Sequence, residues 1–324
     1  MNQRRLWCAV VGLALGLFTA AASAGGDEDG CRGSTVPALS FIQFQSPNLA
    51  TTPPSLLTIK GKLSLPTRGN DWDLCAVPSK RKLPAVLILH GSAGVDSRGD
   101  FYQAALNEAG FVTLQIDMWE ARGVTGIVNR PAAPILTYPD AFNALAFLAA
   151  QPNVDPERIG VIGFSWGGVV SLAASEQLYA TQFGGGRKFK AHVANYPVCW
   201  GANVTSIPAL FPPAQKGTQY LHLTGAPVMI QIGTKDSYDN GSGPCKALAA
   251  AVNPSNGNVV EVVEYVGAYH AFDRFQVPVS TPDPFADEGS YFRTGVLPIV
   301  QIVPDVAQGL LSRSRVVRFF KRNL

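Results

Sequence analysis

Ser165 lies in the pentapeptide Gly163-Phe164-Ser165-Trp166-Gly167, directly after an apolar run and directly before a second one. A serine between two such glycines can occupy a turn so tight that the residues two before and two after it must be small. That turn exposes the hydroxyl for nucleophilic attack. Serine attacks poorly unless a base takes its proton. Two downstream residues supply a base and a carboxylate in the order such a turn requires. Asp236 closes Gly233-Thr234-Lys235-Asp236, just past Pro227–Ile232, and His270 stands in Gly267-Ala268-Tyr269-His270-Ala271-Phe272, just past Val259–Tyr265. The expected chemistry is acyl transfer, with Ser165 as nucleophile, His270 as base and Asp236 as the group orienting the imidazole. Asp239 is close enough in sequence to serve in place of Asp236. His192, inside an apolar strand, reads as a core residue, and His222 reads as a loop residue.

Acyl transfer also needs donors for the oxyanion. The segment His90-Gly91-Ser92-Ala93-Gly94 follows the apolar run Ala85–Leu89. The expected donors are the backbone N–H groups of Trp166 and Ser92, with His90 shaping its loop through hydrogen bonds. The aromatic residues near the motifs, Trp119, Trp166, Trp200 and Tyr269, are expected to line the substrate pocket, with Trp119 and Trp166 in contact with substrate.

The elements that must position these groups alternate between strand and helix. Strands are read at 56–65, 85–89, 111–116, 158–163, 190–196, 227–232 and 259–265. Helices are read at 101–109, from an Asp140 cap to about 151, at 169–178, 245–252 and 305–322. Continuous apolar runs such as Ala85–Leu89 suit strands covered on both faces, so the fold class is α/β with a largely parallel sheet. The Pro-rich stretch 201–226 is long enough to act as a partial lid. Arg313, Arg315, Arg318, Lys321 and Arg322 lie on the last helix, where cations suit the C-terminal end of the dipole.

The 324 residues are 47% apolar and 15% charged, which excludes a disordered chain, a collagen and a coiled coil. A formal net charge of +3 with no basic stripe argues against a nucleic-acid partner. Residues 1–24 read as a cleaved signal peptide: Arg4 and Arg5, an uncharged apolar run from Leu6 to Ala22, then Ala22-Ser23-Ala24. That predicts a secreted or periplasmic protein with no stable membrane span after cleavage. One domain is expected over 25–324, with an N-terminal extension at 25–55. Removing the signal leaves Cys31, Cys75, Cys199 and Cys245. An even number in an exported chain implies two disulfides, with three possible pairings. No metal or organic cofactor is implied. Asn203 and Asn240 begin Asn-x-Ser/Thr sites.

From about Leu56 onward, these segments resemble the dienelactone hydrolase family of α/β-hydrolases. The carriers are His90-Gly91-Ser92-Ala93-Gly94, Asp117 with Arg122-Gly123, the run from Asp155 to Gly168, Gly233 to Asp236, and Tyr265 to Asp273. The founding members carry a Cys nucleophile and a Glu after the first-motif His, where this chain has Ser165 and Gly91. The resemblance is therefore to the Ser-type relatives. It implies an α/β-hydrolase fold, and a Ser–His–Asp set suits ordinary carboxylic esters or lactones as substrates. It also implies the disulfide Cys199–Cys245, and with it Cys31–Cys75. Two rival readings use the same residues: a peptidase or acyltransferase, and a non-catalytic binding protein on a hydrolase fold.

Overall fold

Residues Ala85 to Leu89 are at most 1% exposed, as expected of a strand covered on both faces. The computed structural model describes residues 36–66, 75–76, 82–203 and 222–324. Its strands are β1 (Val36–Pro37), β2 (Leu39–Asn48), β3 (Ser55–Ser64), β4 (Cys75–Ala76), β5 (Leu83–Leu89) and β6 (Val112–Asp117). They continue with β7 (Val154–Phe164), β8 (Ala191–Asn195), β9 (Val228–Lys235), β10 (Val260–Tyr269), β11 (Val279–Pro282) and β12 (Ile299–Ile302). The helices are α1 (Ser97–Glu108), α2 (Tyr138–Ala149), α3 (Trp166–Ala173), α4 (Gln177–Gly184), α5 (Trp200–Asn203), α6 (Gly243–Val252), α7 (Tyr291–Thr294) and α8 (Val306–Asn323).

Among the described residues, eight strands form one sheet in the order β10-β9-β8-β7-β5-β6-β3-β2. The pairs from β10 through to β6 are parallel, and β3 and β2 join antiparallel at one edge. Alternate residues of the central strands feed two apolar clusters, one on each face. Val86 and Ile88 pack with Tyr102 and Leu106 of α1, Leu248 of α6 and Phe319 of α8. Leu87 and Leu89 pack with Phe142 and Leu145 of α2 and Val170 of α3. Each fully buried aliphatic side chain contributes roughly 1.5–3 kcal/mol. Helices on both faces of a mostly parallel sheet make this an α/β architecture.

Several expectations are corrected. Residues 39–48, assigned to an N-terminal extension, form the edge strand β2, paired along its length with β3. The edge position leaves Phe41 80% exposed, so no apolar run marks the strand. Asp140 does not cap α2. The helix starts at Tyr138, and Asp140 is buried in an ion pair with Arg122 at 2.7 Å and accepts a hydrogen bond from Ser46. The helix expected at 169–178 is two, α3 and α4, interrupted at Ala174–Glu176. The antiparallel pair β11–β12 has no counterpart in the sequence reading, because each strand is only four residues long and neither alternates. The segment 1–24 and Cys31 lie outside the described residues, as do 204–221, most of the stretch read as a lid. No helix among the described residues is long and apolar enough to cross a membrane.

Glu176, at the break between α3 and α4, is 1% exposed, and neither carboxylate oxygen has a partner among the described residues. Burial pushes its pKa up to about 9 from an ordinary value of 4.5. A folded-state pKa above the unfolded one means that stability is lost as pH rises from 4.5 through 9. Glu176→Gln does not titrate. Its thermal unfolding temperature is expected to match the native chain near pH 4 and to exceed it increasingly toward pH 9.

Candidate active site

β7 ends at Phe164 and α3 begins at Trp166, so Ser165 alone makes the turn. Its φ of 52° lies in the left-handed region, which L side chains avoid unless the surroundings enforce it. Here the backbone enforces it. A Cβ on Gly163 would fall 1.9 Å from the carbonyl oxygen of Gly167, and one on Gly167 would fall 2.4 Å from that of Leu89. Ser165 N–H donates to the Asn195 carbonyl at 2.9 Å, and Gly167 N–H donates to the His90 carbonyl at 3.1 Å. The hydroxyl is thus held beyond the carboxyl ends of β5, β7 and β8.

His270 follows β10, which breaks register with β9 between Tyr265 and Tyr269. Gly233 permits the close approach there, since a Cβ would fall 2.2 Å from the Ala268 carbonyl oxygen. Asp236 directly follows β9. The structure brings the three distant residues together: His270 Nε2 is 2.9 Å from Ser165 Oγ, and His270 Nδ1 is 2.7 Å from Asp236 Oδ2. With Nδ1–H donated to the carboxylate, Nε2 accepts the Ser165 O–H. The other Asp236 oxygen accepts Tyr238 N–H at 2.9 Å. The imidazole is 3% exposed and packs on Tyr238 and Tyr196, with ring centroids 4.3 and 4.8 Å away.

Asp239, the alternative acid, is committed elsewhere. It accepts the backbone N–H groups of Cys199 and Trp200 at 2.8 and 2.7 Å. Burial, with the neighbouring Asp236 charge, pushes its pKa up to about 8. His192 is fully buried with Nδ1 on the Ser171 carbonyl, and burial pushes its pKa down to about 4. His222 is exposed. His90 shapes its loop: Nε2 accepts Met118 N–H at 2.9 Å, and Nδ1 donates to the Gly91 carbonyl at 2.8 Å.

A cavity of about 50 Å³ opens at Ser165 and is walled by Trp166, Val198, Trp200 and Phe285, with Ser92, Arg130 and Tyr238 as its polar members. Neither the Trp166 nor the Ser92 backbone N–H donates to a backbone carbonyl among the described residues. Two pocket assignments are corrected. Trp119 is 3% exposed and packs between His90 and Trp166, with its indole N–H on the Ser92 carbonyl at 3.1 Å. It braces the Ser92 loop without lining the cavity. Tyr269, the last residue of β10, does not line the cavity either. Its ring lies under the Lys235 ammonium at 5.3 Å.

Sequence reasoning missed Arg130, Tyr238, Asp283 and Phe285. None belongs to a recognisable motif; the available signal was charge beside proline, in Asn129-Arg130-Pro131 and Pro282-Asp283-Pro284. Cys199 and Cys245 are joined by a disulfide. Their sulfurs and an Asp239 oxygen lie within 4.8 Å of one another, but the bond between the sulfurs leaves a single carboxylate, too little to hold a metal. Cys75 lies in β4, paired with β1, and its expected partner Cys31 is outside the described residues. Of the α8 cations, Arg313 and Arg315 lie over the Phe101 and Tyr265 rings, and Arg322 pairs with Glu261.

The sheet, the turn at Ser165 and the hydrogen-bonded residues beyond it define an α/β-hydrolase. The chain belongs to the dienelactone hydrolase family, whose model matches residues 73–294. It is similar over 87% of its length to the crystal structure of a putative dienelactone hydrolase from Klebsiella pneumoniae subsp. pneumoniae. That match covers 99% of the other chain, with a TM-score of 0.53 and 15% identity. A structure of Thermogutta terrifontis esterase 2, phosphoramylated by tabun, matches 86% of this chain and 93% of its own, with a TM-score of 0.54 and 15% identity. Among curated proteins, a probable dipeptidyl-aminopeptidase B of Paracoccidioides brasiliensis is 31% identical over 130 residues, 36% of this chain. The chain spans 13% of that relative's length.

Trp119→Phe keeps an aromatic ring but removes the indole hydrogen bond to the Ser92 carbonyl. Loss of about 1.4 kcal/mol of positioning would lower kcat roughly 10-fold. Steady-state kinetics on an aryl ester should show that loss with KM little changed. A rise in KM alone would place Trp119 against substrate.

Proposed function

We propose that the chain is an exported serine hydrolase of carboxylic esters or lactones. The observation that carries the reading is the hydrogen-bonded series Ser165–His270–Asp236 opening on an apolar cavity. His270 takes the proton of Ser165 as Oγ attacks the carbonyl carbon. The tetrahedral oxyanion is met by the N–H groups of Trp166 and Ser92. His270 then protonates the leaving alkoxide, and the acyl group stays on Ser165. Water, deprotonated by His270, releases the acid and restores the serine. Asp236 stabilises the imidazolium in both steps.

Membership of a hydrolase family and the esterase-like fold support this chemistry. The cavity's size favours a short acyl group, since 50 Å³ holds only a few water-sized units. Residues 25–324 are taken as one catalytic domain. The apolar run after Arg5 and the Cys199–Cys245 disulfide support export to an oxidising compartment. A second reading, hydrolysis of peptides, is favoured by the similarity to the dipeptidyl-aminopeptidase.

Ser165→Ala should lower turnover of a p-nitrophenyl ester by about 10,000-fold or more while leaving thermal unfolding unchanged. A fluorophosphonate should label the native chain and not the variant. Acetyl and butyryl esters should be cleaved faster than decanoyl ones. Wild-type turnover by the alanine variant would end the proposal, and faster cleavage of aminoacyl p-nitroanilides than of any ester would replace it with the peptidase reading.

A further inference from the structure

Ser92 enters the reaction above only through its backbone. Its side chain has a separate arrangement. Arg130 Nη1 donates to Ser92 Oγ at 3.0 Å. A guanidinium has donors and no acceptor, so the serine hydroxyl is the acceptor here and must send its own hydrogen elsewhere. No described residue accepts it, and Ser92 lines the same cavity as Ser165. Hydroxyls that accept a charge-assisted hydrogen bond become stronger donors, because the two bonds polarise each other.

The arginine is itself immobilised. Nη1 and Nη2 each donate to an Asp283 oxygen at 2.8 Å, and the carboxylate is fully buried. Tyr238 O–H donates to the same carboxylate at 2.8 Å, and Phe285 N–H does so at 2.9 Å. The guanidinium carbon lies 4.9 Å from the Phe285 ring centre and 5.7 Å from that of Trp166. A cation fixed so firmly, with its charge already neutralised, is poorly placed to bind a substrate anion. It is well placed to hold one hydroxyl in one rotamer.

We infer that the Ser92 hydroxyl is a third oxyanion donor, aimed into the cavity by Arg130, which the Asp283–Tyr238 pair holds in place. Ser92 is thereby a catalytic residue through its side chain, and Arg130 a positioning residue. The inference rests on the serine-hydrolase reading. It adds a donor whose removal leaves the backbone N–H in place.

The test uses Ser92→Ala in the full chain, with kcat and KM measured on a p-nitrophenyl ester of short acyl length. Inhibition by a trifluoromethyl ketone, which forms a tetrahedral oxyanion on the nucleophile, is measured alongside. The alanine variant should lose roughly 100-fold in kcat, with KM within twofold, and ketone affinity should fall by the same factor. Ser92→Thr should recover most of both. Ser92→Val, isosteric with threonine, should not, and this pair decides the matter if the alanine variant folds poorly. Arg130→Lys should weaken ketone binding while leaving substrate KM unchanged. An unchanged kcat in Ser92→Ala, a loss confined to KM, or an unchanged ketone affinity would overturn the inference. If Ser165→Ala is inactive in that same assay, the serine-hydrolase reading survives such a result; if Ser165→Ala is active, both fall.

Discussion

The whole site depends on a backbone contact that admits no side chain. Where β7 turns into α3, Gly163 and Gly167 lie so close that a Cβ on the first would enter the second, and a Cβ on the second would enter the end of β5. This approach drives Ser165 to positive φ and lifts its side chain out of the turn. It also makes Trp166 the first residue of α3, whose N–H has no intrahelical acceptor. The Gly167 hydrogen bond to His90 then ties the turn to the loop carrying Ser92. A serine hydroxyl, an amide at a helix start and a second loop are therefore placed by one packing event between strand ends.

Around that contact, loops far apart in sequence are joined by buried opposite charges. Arg122 with Asp140 links the segment after β6 to the start of α2, and Arg130 with Asp283 links the next loop to the β11–β12 region. Such pairs add little net stability over well-packed apolar residues, because each ion must leave water. Their geometry is what a loop-built site needs. A bidentate fork fixes direction as well as distance, and losing one partner leaves the other buried and unpaired.

The readable part of this molecule was the part governed by local rules. Ala85–Leu89 announces a covered strand by composition, and Gly163 to Gly167 announces a tight turn by its small residues. Asp236 and His270 were legible because each directly follows an apolar strand whose end must reach the crevice. What failed was long-range. Nothing near Asp140 says that Arg122 will bury it, and the exposed face of β2 hides an edge strand whose other face is covered. Trp119 is a sharper case. Its position after a strand was read correctly, yet whether an indole there meets substrate or braces a neighbouring loop depends on a carbonyl at Ser92, 27 positions away. The pair behind the Ser92 hydroxyl falls in the same class, since Arg130 and the carboxylate that holds it, Asp283, are 153 positions apart.

Asp236 and Asp239 show how one short loop can give two carboxylates different environments. The chain turns back after Asp239 through Asn240 and Gly241, both at positive φ, with Gly241 N–H on the Asp236 carbonyl. Asp236 is left facing His270, while Asp239 turns the other way to meet the Cys199 and Trp200 amides. The disulfide between Cys199 and Cys245 closes over that second contact, with Cys245 Sγ 3.7 Å from the Asp239 carboxylate. The loop that orients the imidazole therefore also fixes Trp200, a wall of the cavity. Movement of this loop must change imidazole geometry and cavity shape together. A covalent crosslink beside it restrains both at once.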